Sequence, residues 1–247
     1  MPSQESAAQE HAYKLNWKNP LSEVIITSRR SPIKYEIKTE NFRNVDALKG
    51  TDLNWTMLRD GVNSAYGILE AIDFKMLSLQ SPRLAQLMEL ANLSSFLGNL
   101  ISGAIAKESK GVFCRNRPHA YPDLLHKCGD PKRHLEIKVA LENNKPKGHL
   151  PKAGNYLTFR YVLGDEKGGY KKGDENRGDV VWIWEIKFGN LSESDFSFSS
   201  TEGDSGKTAV IKTKSFDAMA LLYFDSVFCP FNRSPYLDKN QETLKLR

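Results

Sequence analysis

The chain is poor in cysteine and has no long apolar run. Its three cysteines, Cys114, Cys128 and Cys229, are too few and odd in number for a disulfide framework, which is typical of a reducing compartment. No apolar run reaches membrane-crossing length, and the first twenty residues lack the hydrophobic centre of a signal peptide. We therefore expect a cytoplasmic protein that does not associate with a membrane.

Several familiar catalytic motifs are also missing. The sequence has no glycine-rich phosphate loop of the Walker type, so action driven by ATP is not expected. It lacks the Gly-x-Ser-x-Gly elbow that places a nucleophilic serine in hydrolases. It also shows no internal repeat, heptad register or low-complexity tract. Any chemistry must therefore come from another arrangement of residues.

The amino-acid composition is that of a folded, mildly basic domain. Of the 247 residues, 40% are hydrophobic, 26% charged and 10% aromatic, which indicates a globular chain. The formal net charge of +5 suits a polyanionic partner. A chain of this length can bury a substantial core. We expect one domain over residues 1–247, with a helical part at about 52–109 and a catalytic core at about 112–230.

The stretch from Tyr121 to Leu141, YPDLLHKCGDPKRHLEIKVAL, indicates two short strands joined by a Gly-Asp-Pro turn. Because side chains alternate along a strand, Glu136 and Lys138 share one face of the second strand. A hairpin would bring Asp123, in the first strand, close to Glu136. Two carboxylates beside a cation suit Mg²⁺, which favours one or two carboxylates together with waters and substrate phosphates.

Pro122-Asp123, a spacer of twelve residues and Glu136-x-Lys138 between hydrophobic residues resemble the motif of the PD-(D/E)xK nucleases, the active site of most type II restriction endonucleases. The resemblance covers about twenty residues. It implies a restriction-endonuclease-like core and Mg²⁺-dependent, sequence-specific cleavage of double-stranded DNA. It also implies that Asp123, Glu136 and the backbone carbonyl of Ile137 hold the metal. Lys138 would then orient the attacking water and stabilise the transition state.

Two other Glu-Ile-Lys triplets leave an alternative open. Glu36-Ile37-Lys38 and Glu185-Ile186-Lys187 repeat the triplet, but only the middle copy follows a Pro-Asp pair at a suitable distance. The strand with Glu185 and Lys187 could be the catalytic one if Asp179 or another upstream acid took the place of Asp123. The superfamily often adds a carboxylate from a helix, and the candidates for it here are Glu70, Glu89 and Glu108.

Basic residues around the motif are candidates for holding DNA phosphates. Loops at 143–153 and 164–178 combine cations with glycine or proline, and their side chains would reach base edges. The DNA-binding candidates are Arg115, Arg117, Lys145, Lys147, Lys152, Lys171 and Lys172. The cysteines and histidines between residues 114 and 134 do not follow the paired spacings of structural zinc sites, so Mg²⁺ is the expected cofactor.

Patterns along the chain predict an α/β fold with a mixed central sheet of about five strands flanked by helices. An apolar stripe at three- and four-residue steps predicts helices within residues 52–109, where Gly98 and Gly103 indicate a break or close packing. Another helix is predicted to begin at Ser215 and to end at Cys229-Pro230. Strands outside the hairpin are expected at Glu23–Thr27, Ile33–Thr39, Asn155–Leu163, Val180–Phe188 and Thr208–Thr213.

Two other functions remain open at this point. A nuclease of the same fold could serve repair or junction resolution without sequence specificity, and a non-catalytic nucleic-acid-binding protein could carry Glu and Lys as surface ion pairs. Cutting both strands most simply requires two sites, so one motif per chain predicts a homodimer. The apolar region from Leu84 to Ile105 is the expected contact, because obligate dimer interfaces resemble a divided core.

Overall fold

A computed structural model of the chain describes residues 32, 33, 35–148, 150–199 and 208–231. The strands within these ranges are β1 (Phe113–Arg115), β2 (Leu124–His126), β3 (Leu135–Leu141), β4 (Lys147–Gly148), β5 (Gly154–Gly164), β6 (Val180–Leu191), β7 (Phe196–Ser199), β8 (Thr208–Ile211) and β9 (Ala220–Phe224). The α-helices are α1 (Trp55–Ser78), α2 (Leu84–Leu87), α3 (Leu90–Glu108) and α4 (Thr213–Ala218). Short 3₁₀ turns lie at Thr39–Asn41, Val45–Leu48, Pro131–Arg133, Asp174–Asn176, Glu193–Asp195 and Ser226–Phe228.

The central sheet has six strands in the order β1-β2-β3-β5-β6-β9, and a smaller sheet has the order β4-β8-β7. Strands β3 and β5 run parallel, while the other neighbours in the central sheet are antiparallel. The prediction of a mixed α/β sheet flanked by helices is confirmed, with one central strand more than the five expected. Within the described ranges, no helix is both long enough and apolar enough to cross a membrane.

The long helices α1 and α3 cover one face of the central sheet. Helix α1 starts at Asn54, whose side chain accepts a hydrogen bond from the Met57 N–H at 2.9 Å. The predicted stripe on α1 is buried, as is the stripe on α3, and both join one core with alternate residues of β5 and β6. On the other face, α4 and the smaller sheet pack around Tyr156 of β5. The fold therefore has three layers, with the central sheet in the middle.

Two glycines of α3 allow close packing and do not interrupt the helix. A Cβ at Gly98 would lie 3.6 Å from Val139 Cγ2 of β3, and one at Gly103 would lie 3.5 Å from Arg115 Cδ of β1. Helix α3 runs through both positions. Of the two alternatives that the sequence offered, close packing of α3 on the sheet is therefore correct.

The predicted helix from Ser215 to Cys229 is wrong. Helix α4 ends at Ala218, and Ala220–Phe224 forms the edge strand β9. The four residues from Leu221 to Phe224 are all buried, because β9 has one face on the main core and the other on a cluster around Trp184. Such a continuous apolar run fits a doubly covered strand as well as a helix, which is why the periodicity was misleading.

Two other strands were predicted from the sequence; one of them is wrong, and the other lies outside the described residues. Ile33–Thr39 was predicted as a strand, but residues 35–38 have no regular structure and a 3₁₀ turn follows at Thr39–Asn41. The segment still packs on the core, because Tyr35 and Ile37 are buried. The predicted strand Glu23–Thr27 lies outside the described residues. Burial of alternate apolar residues therefore produced a strand-like pattern without strand pairing.

The contact between α1 and α3 is tight enough to test with a matched pair of substitutions. A Cβ at Gly61 would meet Ile105 Cγ1 at 2.6 Å and Ile105 Cα at 3.0 Å, whereas a Cβ at Gly67 on the same helix would meet nothing within 4 Å. Gly61→Ala should lower the free energy of unfolding by about 1–3 kcal/mol through overpacking. Gly67→Ala should raise it by up to about 1 kcal/mol through helix propensity. Urea denaturation of both variants checks this, and equal shifts would contradict the tight contact.

Candidate active site

The β2–β3 hairpin brings Asp123 and Glu136 together through reciprocal hydrogen bonds. The Asp123 N–H donates to Glu136 Oε2 at 3.1 Å, and the Ile137 N–H donates to Asp123 Oδ2 at 2.8 Å. Strands β2 and β3 pair at Leu124 and Leu135, the residues next to these two acids. Each carboxylate is thus fixed by the backbone beside the other carboxylate. The sequence predicted this proximity from the hairpin alone.

The segment before β2 holds Asp123 in place from the other side. The Asn116 N–H donates to the Asp123 carbonyl at 2.9 Å, and Asn116 Nδ2 donates to the Pro122 carbonyl at 2.8 Å. The peptide bond between Tyr121 and Pro122 is cis. Asn116 therefore clamps the Pro-Asp pair, a role that the sequence did not indicate.

Lys138 completes the group on the same face of β3. Its ammonium contacts Glu136 Oε1, and the Lys138 side chain is 25% exposed while that of Glu136 is 8% exposed. The backbone of β4 confines this lysine, since a Cβ at Gly148 would lie 3.3 Å from Lys138 Cε. The ammonium therefore lies at the boundary between the buried carboxylate and solvent.

Burial makes the negative charge of Glu136 costly. Burial raises the pKa of Glu136, and the nearby Asp123 carboxylate raises it further, while the Lys138 ammonium acts in the opposite direction. A cation between the two carboxylates would relieve both the burial and the repulsion. Two carboxylates and the neighbouring backbone carbonyl of Ile137 are hard oxygen donors, which fit Mg²⁺. Among the described residues, no group of three or more His, Cys, Asp or Glu side chains could hold a metal ion.

A cleft of about 960 Å³ opens over this group. One wall is the amino-terminal half of α3, the other is formed by β4 and β8, and residues 137–141 of β3 form the floor. Strand β3 pairs with β2 only at Leu135, so beyond that residue the edge of β3 facing β2 has no strand partner in the described part of the chain. Asp123 and Lys138 both line the cleft, which gives the site access to solvent.

Most of the charged side chains that line the cleft are cations. Its lining carries six cations and one carboxylate, that of Asp123. Four of the cations are DNA-binding candidates from the sequence, and the full set is Arg115, Arg117, Lys138, Lys145, Lys147 and Arg177. Some are already oriented, because Arg115 donates to Asn99 Oδ1 at 2.9 Å and Lys145 donates to Thr213 Oγ1 at 2.9 Å. The cleft therefore offers a cationic path past the two carboxylates.

Three other DNA-binding candidates do not line the cleft. The Lys152 ammonium lies 4.5 Å from the centre of the Tyr121 ring, and Lys171 and Lys172 are exposed in the loop between β5 and β6. That loop instead contributes Arg177, which pairs with Glu142 at 2.8 Å and with Asp174 at 2.6 Å. Arg177 belongs to the 164–178 loop that the sequence indicated, although it was not among the named DNA-binding candidates, whereas no local pattern would have identified Asn99.

None of the three helix carboxylates named from the sequence lines the cleft within the described residues. Glu70 is buried in an ion pair with Arg83 at 2.9 Å and accepts a hydrogen bond from the Ile33 N–H at 2.9 Å. Arg83 also contacts Asp73 at 3.3 Å, so this buried group joins α1 to the start of α2. Glu108 lies 3.7 Å from Lys107 at the far end of α3, and Glu89 precedes the first residue of that helix.

The alternative triplet on β6 is inaccessible. Glu185 and Lys187 are both 0% exposed. Glu185 forms two contacts of 2.5 Å with Arg160, while Lys187 Nζ donates to the Phe216 carbonyl at 2.9 Å. Both charged side chains lie in the protein interior, and a substrate cannot reach them unless the protein unfolds. In the first triplet, Lys38 lies 3.6 Å from Asp225 and is half exposed.

Comparison with known proteins adds no relative to this picture. No protein-family model matches the chain, and no curated protein matches it.

Proposed function

We propose that the chain is a Mg²⁺-dependent endonuclease that hydrolyses phosphodiester bonds in double-stranded DNA, in the manner of a type II restriction endonuclease. The observation that carries this proposal is that Asp123 and the buried Glu136 lie together beside Lys138, and that Asp123 and Lys138 line a cleft rich in cations. The resemblance to the PD-(D/E)xK motif assigns these three residues to catalysis. Their geometry is compatible with that assignment.

Each residue of the group has a role in such a reaction. Asp123 and Glu136, with the Ile137 carbonyl, would hold Mg²⁺. When bound, Mg²⁺ would polarise the scissile phosphate and make an attacking water more acidic. Lys138 would orient that water and offset the negative charge that builds up on the phosphorus centre. Its partial exposure beside a buried carboxylate suits a group that must contact both the site and the substrate.

The DNA would lie along the cleft. Arg115, Arg117, Lys145 and Lys147 line the same cleft as Asp123, and their charges would contact phosphates and fix the register of the duplex. The loops at 143–153 and 164–178, with Lys152, Lys171 and Lys172, would approach the grooves and read base edges.

We place this activity in the cytoplasm. The three cysteines are free, which fits a reducing compartment.

A homodimer follows from the proposed chemistry. One site cuts one strand at a time, so cleavage of both strands needs two sites or one site that acts twice, and a symmetric target most simply calls for a second copy. The Leu84–Ile105 region was the expected contact, but Leu93, Leu97, Ile101 and Ile105 are buried inside the chain's own core. Leu87, at 53% exposure, is the large apolar side chain that this region leaves most accessible.

The first prediction concerns the active site. Wild-type protein with Mg²⁺ should cut a mapped plasmid into discrete fragments. Asp123→Asn, Glu136→Gln and Lys138→Ala should each lower the cutting rate by roughly 100-fold or more, since each removes a contact to the metal or to developing charge. Gel electrophoresis of timed samples measures these rates.

Lys38→Ala is the matched control for Lys138→Ala, because it removes a lysine from an equivalent triplet outside the cleft, and it should cut at the wild-type rate. Unchanged melting temperatures would show that loss of cutting is not loss of folding. A wild-type rate for Asp123→Asn contradicts the assignment. Random fragments would favour a repair or junction-resolving nuclease, and DNA binding without any metal-dependent cutting would favour a non-catalytic binding protein.

The second prediction concerns the path of the DNA. With Ca²⁺ in place of Mg²⁺, the protein should bind DNA without cutting it, because calcium coordination is longer and looser. Under these conditions Lys145→Ala/Lys147→Ala should weaken binding and reduce the slope of log affinity against log salt by roughly 2. Fluorescence anisotropy at several salt concentrations measures both quantities.

Lys171→Ala/Lys172→Ala removes the same charge from the exposed loop outside the cleft. This control should lose less affinity than the cleft variant. An equal or larger loss in the control would contradict the cleft as the main path for the DNA backbone.

The third prediction concerns assembly. Light scattering should give the mass of two chains for the protein bound to a symmetric duplex. A single chain both free and bound, together with accumulation of nicked plasmid before linear product, would show that the protein acts as a monomer.

A further inference from the structure

A cysteine, a histidine and an aspartate form a second group at the turn of the β2–β3 hairpin. Cys128 Sγ lies 2.7 Å from His126 Nδ1, and His126 Nε2 lies 3.1 Å from Asp52 Oδ2. Cys128 is exposed, His126 is 8% exposed, and the Asp52 side chain is 49% exposed. The thiol is thus open to solvent while the imidazole behind it is held in the protein.

The hydrogen bonds of His126 determine which of its ring nitrogens carries the proton. The Cys128 N–H donates to His126 Nδ1 at 3.1 Å, so Nδ1 carries the lone pair and Nε2 carries the proton. The Asp52 carboxylate contacts Nε2 without the alignment of a hydrogen bond. The Phe113 ring meets the imidazole edge-on with centroids 5.3 Å apart, which limits its rotation. The lone pair of Nδ1 is therefore shared between the Cys128 N–H and the exposed Cys128 thiol, and a carboxylate lies on the other side of the ring.

The geometry points to Cys128 as a modification site, a nucleophilic thiol that His126 activates for exchange with small disulfides. The Cys128 sulfur attacks one sulfur of the disulfide, a new S–S bond forms, and the original S–S bond breaks. The thiol proton passes to His126 Nδ1, Asp52 beside Nε2 stabilises the imidazolium, and the proton then passes to the departing thiolate. The small disulfide is reduced to one thiol as Cys128 becomes part of a mixed disulfide.

Other groups around His126 also affect this proton transfer. The transfer is favoured when Asp52 stabilises the imidazolium by more than the neighbouring groups destabilise it. Arg133 also contacts Asp52 and lies 3.6 Å from Asp130, and His134 Nδ1 accepts a hydrogen bond from the His126 N–H at 3.0 Å. Arg133 competes with His126 for the Asp52 carboxylate. The site does not depend on the proposed nuclease chemistry, because none of these groups contacts substrate in that proposal.

The other two cysteines are internal references. Cys114 is exposed on β1, where its thiol faces the Leu125 carbonyl at 3.7 Å and not an imidazole. Cys229 is half-buried, and burial raises the pKa of its thiol, which should make it the slowest of the three. All three can be followed in one native sample.

The test is the reaction of the native full chain with 4,4′-dithiodipyridine, a neutral aromatic disulfide, followed by peptide mass mapping at pH 6 to 8. At neutral pH Cys128 should react roughly tenfold or more faster than Cys114, because the thiolate and not the thiol attacks. His126→Asn should reduce the Cys128 rate to that of Cys114, and Asp52→Asn, on the surface, should reduce it partly. Both variants should leave the Cys114 rate unchanged.

Equal rates for Cys128 and Cys114 in the wild-type protein would overturn the inference, and this comparison needs no variant that might fail to fold. A Cys128 rate that is high but unchanged in Asp52→Asn and His126→Asn would also overturn it, since exposure alone would then explain the reactivity.

Discussion

The two reciprocal hydrogen bonds across the β2–β3 hairpin are the constraint on which the site depends. Each joins one acid's carboxylate to the backbone beside the other acid, at Asp123 and at Ile137. A carboxylate that accepts a backbone N–H is fixed in direction, and so it can present its remaining oxygen lone pairs to a ligand. The same hairpin carries Cys128 and His126 at its turn, so both chemical groups of the protein rest on one short supersecondary unit.

The second constraint is the shortness of β2. Because β2 pairs with β3 only at Leu135, the rest of that edge of β3 has no strand partner among the described residues, and an unpaired edge normally invites association with another chain. Here α3 and the smaller sheet form the two walls of a cleft, and the edge of β3 forms its floor. The cationic lining discourages a neutral strand from docking there and favours a polyanion. The short β2 and the two walls therefore leave residues 137–141 of β3 accessible at the floor of a cleft lined by cations.

Much of the fold could be predicted from sequence because its main elements have a single clear period. The stripes of α1 and α3 and the long strands β5 and β6 are found where the sequence indicates them. The failures have two physical causes: burial on two faces removes the period of a strand, and alternate burial imitates the period of a strand where no partner strand pairs. Leu221 to Phe224 is buried throughout and was mistaken for a helix, and Tyr35 and Ile37 alternate without a partner strand. Pairing is a long-range property that local composition does not contain.

The same limit explains why the three Glu-Ile-Lys triplets look alike in sequence and differ in the fold. On β6, Glu185 is wholly buried and both of its carboxylate oxygens pair with Arg160, so its charge is neutralised inside the protein. On β3 the glutamate is also buried, but its neighbours are a partly exposed lysine and a second carboxylate. The charge of a buried acid that is paired with one cation is neutralised, whereas two acids that share one ammonium carry an excess negative charge. The β3 triplet also differs from the β6 triplet in access, because Lys138 and Asp123 line a cleft while Glu185 and Lys187 are wholly buried.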